Sequence, residues 1–253
     1  MKKPKILIFG DSFGSEYPQQ HFSTFSETWH RQLGKKYKVA NHCEYSSGFY
    51  YSYLKLKKLI IKNKNYKIIF LVSDPRRHYT KNPKRHLTVT DLETWDGHRD
   101  SPKMWNFLVR MRRNYFKYFF NDNIEKYQYK LMVEDLKNTY KDKILLLKCF
   151  PIYDDNNYGS EIQNIFDNTI ALGDISMYES KQIPIIDDKW KSNHMLIPHH
   201  RVLYKKIDNW IEKGDFTLDK TDLLDLPTDY KLYDEIKTAP SMLFASRKEF
   251  YAG

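Results

Sequence analysis

Cysteine occurs only twice in this chain, glycine nine times, and no apolar run approaches the roughly 20 residues that a membrane-spanning helix needs. Cys43 and Cys149 lie far apart, which argues against a disulfide framework or a zinc site of spaced thiols and favours a reducing, intracellular setting. His42 and Cys43 are adjacent, a poor geometry for two ligands on one ion, and the histidines include no pair at helical spacing, so no metal is expected. Neither common glycine-rich phosphate loop is present, no repeat or low-complexity tract is visible, and no cofactor is expected. Lys2, Lys3 and Lys5 look like the charged start of a signal peptide, but the apolar run after them stops at Gly10, too short for a hydrophobic signal core. A cytoplasmic protein is the expectation.

At 253 residues and 41% hydrophobic, the chain is long enough for one large α/β domain with a core that needs no covalent staples. Its net charge of +10 would suit a polyanionic partner. Lysine dominates that charge, however, and the abundance of Lys, Asn, Tyr, Phe and Ile with little Gly is the composition of an AT-rich genome, so a nucleic-acid partner is not the favoured one.

Along the chain, strands alternate with helical stretches. Lys5–Phe9 reads as a buried strand, Phe22–Leu33 as a helix, Lys38–Asn41 as a short strand and Tyr50–Lys62 as a helix. Lys67–Val72 and Lys143–Leu147 are two further apolar strands, and such alternation implies βαβ units around a parallel sheet. Pro75–Pro102 is rich in Arg and His without periodicity and reads as a long loop. Lys103–Tyr140 turns helical, with a break expected near Asn121–Asn123. Ile197–Ile211 is a last helix with Pro198 in its first turn. Residues 1–213 therefore form the expected domain, with an insertion at about 75–140. Residues 214–253 form a polar extension that wraps the domain or contacts a partner, with one weak helical signal at Tyr230–Lys237.

Ligands of parallel α/β sheets bind beyond the carboxyl ends of the strands. The residues there are Gly10-Asp11-Ser12 in "ILIFGDSFG", then Asn41 and Gly48, then Ser73-Asp74. A serine at a strand-to-helix turn can expose its hydroxyl beside backbone N–H groups that face an oxyanion, and it then needs a base. His194, just before the last helix, is the candidate. The plainer alternatives are a turn in which Asp11 caps the next helix, a packed or surface His194, a Gly48 that only relieves a turn, and an Asp74 that caps a turn before Pro75. Arg76 and Arg77, beyond the same strand end, either hold a substrate carboxylate or phosphate or form a solvated charged loop.

"IFGDSFG" resembles the first block of the SGNH (GDSL-type) hydrolase superfamily, and "NHMLIPHHRVLYKKI" resembles its last. "VANHCEYSSGFYYSYLKL" stands where the second block falls and "FLVSDPRR" where the third does, so the likeness covers about residues 4–212 in order. The resemblance implies a three-layer α/β/α sandwich with a mainly parallel, flavodoxin-like sheet. It also implies a serine esterase or acylhydrolase in which Ser12 is the nucleophile, His194 the base, and Ser12, Gly48 and Ser73 the oxyanion hole. An acyl ester or acylated carbohydrate would be the substrate. Two positions depart from the pattern. Ser73 replaces the oxyanion-hole Asn, and Lys191 stands where the orienting Asp three residues before the histidine belongs. Asp187 or Asp188 is left as the orienting carboxylate of an incomplete triad, or Ser12 and His194 act as a dyad, with Asp11, Asp74, Arg76 and Arg77 as candidate substrate contacts. An acyltransferase, or a degenerate member that only binds a glycan, nucleic acid or protein, is the alternative.

Overall fold

The computed structural model describes residues 3–11, 13–15, 28–44, 47–59, 65–73, 77–79, 86–88, 110–111, 114–115, 118, 121–149, 172, 197–218 and 222. Their centre is a four-stranded parallel sheet of β1 (Lys5–Phe9), β2 (Lys38–Asn41), β3 (Tyr66–Val72) and β6 (Ile144–Lys148), in the order β2-β1-β3-β6. Phe9 of β1 lies level with Phe70 of β3, and Leu71 of β3 level with Leu147 of β6.

Alternate residues of a strand point to opposite faces, and here both faces are covered. Ile6, Ile8, Ile69, Leu71, Leu145 and Leu147 face one layer, packed with Trp29 and Leu33 of helix α1 (Trp29–Lys36) and with Leu203, Ile207 and Trp210 of helix α4 (Ile197–Lys213). Leu7, Phe9, Ile68, Phe70, Val72 and Leu146 face the other, against Phe49 and Leu56 of helix α2 (Phe49–Lys58) and Val133 and Leu136 of helix α3 (Asp122–Tyr140). The architecture is a three-layer α/β/α sandwich, as the apolar runs imply, because strands that read as unbroken apolar stretches need helices on both sides.

Polar ties hold the helices in register. At the amino end of the sheet Lys36 bridges Asp208 at 2.8 Å and Glu212 at 2.6 Å, and Tyr37 donates its hydroxyl to Asp208 at 2.6 Å, fastening α1 to α4. Lys67 of β3 donates to the carbonyl of Trp210 at 2.9 Å with its ammonium 4.3 Å from the indole centre. In the other layer, Tyr53 of α2 donates to Asp135 of α3 at 2.9 Å and Lys57 pairs with the same carboxylate.

The long Pro75–Pro102 loop needs correction: it contains strands β4 (Arg77–Tyr79) and β5 (His86–Thr88), paired antiparallel with His78 opposite Leu87. Three-residue strands are too short to show a period, which is why they do not stand out in the sequence. The first helix begins only at Trp29 among the described residues, and the second ends at Lys58 rather than Lys62, where Leu59 turns extended. The break at Asn121 is a helix start, its side-chain oxygen accepting the Ile124 N–H at 3.3 Å. Phe216 and Leu218 pack into the α1/α4 layer, so the first part of the extension lies against the domain. The helical signal at Tyr230–Lys237 lies outside the described residues.

Two histidines are buried in the α1/α4 layer. Burial lowers the pKa of His30 to about 4, with the nearby Arg31 adding to the effect, and burial alone lowers that of His199 to about 4. Both are neutral in the fold at pH 7. Below pH 6.5 the unfolded chain takes up protons that the folded chain refuses, so their contribution is intact above 6.5 and is lost as pH falls from 6.5 towards 4. Urea unfolding at pH 5 is expected to give a stability about 2 kcal/mol lower per histidine than at pH 7.5. His30→Gln should remove about half of that difference; an equal pH dependence in the variant would show that other groups carry it.

Candidate active site

The chain leaves β1 at Gly10 with φ +143°, a backbone region that side chains rarely tolerate, and a Cβ there would overlap Leu71 of β3 and stand 2.8 Å from its carbonyl oxygen. Asp11 follows, fully buried. Its carboxylate accepts the Phe13 N–H at 3.1 Å and its carbonyl accepts the N–H groups of Gly14 at 3.2 Å and Ser15 at 3.1 Å. These bonds tie Phe13, Gly14 and Ser15 back to Asp11 in a tight turn. A Cβ on Gly14 would stand 2.5 Å from both Cys43 Sγ and Leu71 Cδ1, so the turn presses directly on the side chain of a central strand.

Neighbouring segments then fasten it. The Gly10 carbonyl accepts the Ser47 hydroxyl at 2.8 Å and the Glu44 N–H at 3.0 Å. Asn41, the last residue of β2, donates its side-chain amide to the Gly14 carbonyl at 2.7 Å while its oxygen accepts the Cys43 N–H at 3.0 Å. Trp29 of α1 donates its indole N–H to the Phe13 carbonyl at 3.0 Å, and its backbone N–H donates to Nδ1 of His200 in α4 at 3.4 Å. One fully buried residue, through its indole N–H and its backbone N–H, thus links the turn to the first turn of the helix that begins three residues after His194.

Among the expected site residues, Gly48 is the buried N-cap of α2, and its neighbour Ser47 holds the Gly10 carbonyl, so the start of α2 stands at the same sheet end as the turn. Ser73 directly follows β3 at that end, 2% exposed, and among the described residues its hydroxyl has no hydrogen-bond partner. Asp11 performs the capping role described above, inside the turn. Arg77 opens β4, a strand of the separate two-stranded sheet. Ser12, Asp74, Arg76, Asp187, Asp188, Lys191 and His194 lie outside the described residues.

Of the turn's supports, sequence reasoning passed over Ser47 and Trp29. Asn41 was legible as the end of a strand, but its bridging role needs the turn beside it. Ser47 and Trp29 carried only the signals of a polar loop and an apolar helix face. Cys43, against Gly14, has its thiol pushed well above the usual range by burial and by the Asp11 carboxylate, and at neutral pH it is held as the thiol.

The fold is thus of the parallel α/β class, with its candidate site at the carboxyl end of β1, β2 and β3. No family model and no curated protein matches the chain. The solved structures to which it is similar include the following two. One is a lipolytic protein of the G-D-S-L family from Desulfitobacterium hafniense DCB-2, at 16% identity over 72% of this chain and 75% of that one, with a TM-score of 0.29. The other is the psychrotrophic esterase EstA from Pseudoalteromonas sp., at 13% identity over 84% of this chain and 98% of that one, with a TM-score of 0.40.

Trp29→Phe keeps the ring in the core and removes the N–H that satisfies the buried Phe13 carbonyl. Unfolding by urea should show a loss of roughly 1–3 kcal/mol, the cost of an unsatisfied buried acceptor. Amide hydrogen exchange should be faster at Phe13–Ser15 than in β3. Unchanged protection of those amides would mean that the indole does not hold the turn.

Proposed function

We propose that this chain is a serine ester hydrolase of the SGNH type in which Ser12 is the nucleophile and His194 its base. The observation that carries the reading is the buried Ser73 hydroxyl, without a hydrogen-bond partner among the described residues, at the same sheet end as the turn that Asp11, Gly14 and Ser15 close. A buried donor without a partner costs free energy of about 1–3 kcal/mol, and a ligand oxygen at that point would recover it. Support also comes from the Gly10–Ser15 turn itself, whose position beyond β1 is held from three sides.

In this reading His194 takes the Ser12 proton as the hydroxyl oxygen attacks an ester carbonyl carbon. The carbonyl oxygen becomes an oxyanion facing the N–H groups of Ser12 and Gly48 and the Ser73 hydroxyl. His194 then protonates the departing alcohol, and a water activated by the same ring releases the acid and restores Ser12. Asp187 or Asp188 is the candidate to orient the ring, since Lys191 cannot. Arg76 and Arg77 are candidate contacts for an anionic group on the acyl ester or acylated sugar.

The parent protein is expected to hydrolyse p-nitrophenyl acetate and to react with a fluorophosphonate probe. Ser12→Ala and His194→Ala should each abolish nearly all turnover, because nucleophile and base act as one unit. Ser73→Ala should lower kcat by about 10²–10³ and leave KM nearly unchanged, as for loss of an oxyanion donor, with Ser73→Asn retaining most activity. Equal activity in the Ser12→Ala variant would place the chemistry elsewhere. A parent protein inert to the probe and to acetylated sugars would leave a binding protein on the same fold.

A further inference from the structure

Among the described residues eight large apolar side chains are exposed, and six of them fall between positions 111 and 131. In α3 these are Ile124, Tyr127 and Leu131, at 54%, 62% and 45% exposure. At 100° per residue they share one side of the helix, while Tyr129, Val133 and Leu136, which face the core, lie on the opposite side. A helix that packs on a sheet through one face normally turns a polar face outward. This one is apolar on both sides over its first half. Upstream, Met111, Tyr115 and Tyr118 repeat the same spacing in residues that are also helical, at 55%, 37% and 65% exposure, with exposed Arg110 beside Met111.

The location is as informative as the composition. Helices α2 and α3 each lead back into a parallel strand, so both run from the carboxyl end of the sheet to its amino end. The hydrogen bond from Tyr53 to Asp135 sets them side by side. One turn closer to the carboxyl end in each come Tyr50, 41% exposed, and Leu131. The apolar stripe therefore lies towards the end of the domain that carries the Gly10–Ser15 turn and Ser73.

Charge decides what covers it. Residues 103–131 hold seven Lys or Arg against two acidic residues, Asp122 and Glu125. A second copy of the chain would bring two basic segments together, which like-charge repulsion opposes. A nucleic acid would satisfy the charge but has nothing to offer Met111, Ile124 and Leu131. An anionic bilayer surface satisfies both, taking the aliphatic and aromatic side chains below the headgroups and pairing Lys and Arg with lipid phosphates. No helix among the described residues is long and apolar enough to cross a membrane. We infer that the exposed face of α3, with Arg110, Met111 and Tyr118 upstream, docks this domain on an acidic lipid surface.

Co-sedimentation of the full chain with vesicles of phosphatidylglycerol and phosphatidylcholine tests this, with pure phosphatidylcholine vesicles as the reference. Binding is expected to be at least tenfold tighter to the anionic vesicles and to weaken with added salt. The triple variant Tyr118→Ser, Tyr127→Ser, Leu131→Ser changes only exposed side chains and should lose at least tenfold in affinity with an unchanged far-ultraviolet dichroism spectrum. Arg110→Glu should weaken binding to anionic vesicles and leave the weak binding to neutral ones alone. Absence of anionic-lipid binding, binding that the triple variant retains, or a stable dimer that it abolishes would each overturn the inference. None of these readouts depends on esterase activity, so they stand apart from the proposed hydrolysis.

Discussion

The contact between Gly10 and Leu71 is the constraint on which the rest of the site end depends. β1 and β3 are adjacent central strands, and the chain must leave β1 against its neighbour's backbone, in a conformation with positive φ that other residues resist. Any side chain at position 10 would push the following turn away from the sheet. The turn would then lose Ser47 and Glu44 from the Gly10 carbonyl and Asn41 from the Gly14 carbonyl. The close approach of two strands thus dictates where the chain turns after Gly10, and the polar side chains of Asn41 and Ser47 fix the two ends of that turn.

Division of labour between the two ends of the sandwich follows from the parallel topology. At the amino end the ties are ionic and aromatic, Lys36 with Asp208 and Glu212, and Lys67 over Trp210. They are partly exposed, and such pairs contribute modestly to stability while setting the rotation of α4 against α1. At the carboxyl end the ties are buried or partly buried hydrogen bonds to backbone carbonyls, where a missing partner is costly. Packing energy from both apolar layers is shared by the whole sheet, but geometric precision is concentrated where the turn sits.

Much of this was legible from residue order. Lys5–Phe9, Lys67–Val72 and Lys143–Leu147 read as strands because a strand covered on both faces can be a nearly unbroken apolar run, and the observed strands differ from them by at most one residue at an end. The hairpin Arg77–Tyr79 with His86–Thr88 was illegible since three residues carry no period. The positions after the strands could be collected from topology alone, and Gly48 and Ser73 do stand at one sheet end. Bridging partners such as Trp29 and Asn41 were not readable, because their roles arise from contacts between segments 16 and 27 residues apart. The outward apolar face of α3 was hidden for a different reason. Its Tyr, Ile and Leu look like core residues in a periodic pattern, and only the position of the sheet says which side they face.

The carbonyl of Trp210 accepts both the Lys67 ammonium and the N–H of Gly214, where φ is +83° and the helix ends. That double anchor sets the direction in which the backbone departs from α4, at the sheet end remote from the turn. Lys213 is exposed there. A resin, a surface or a fluorophore coupled at Lys213 would hold the molecule by its amino end and leave the opposite end turned outward to whatever it meets.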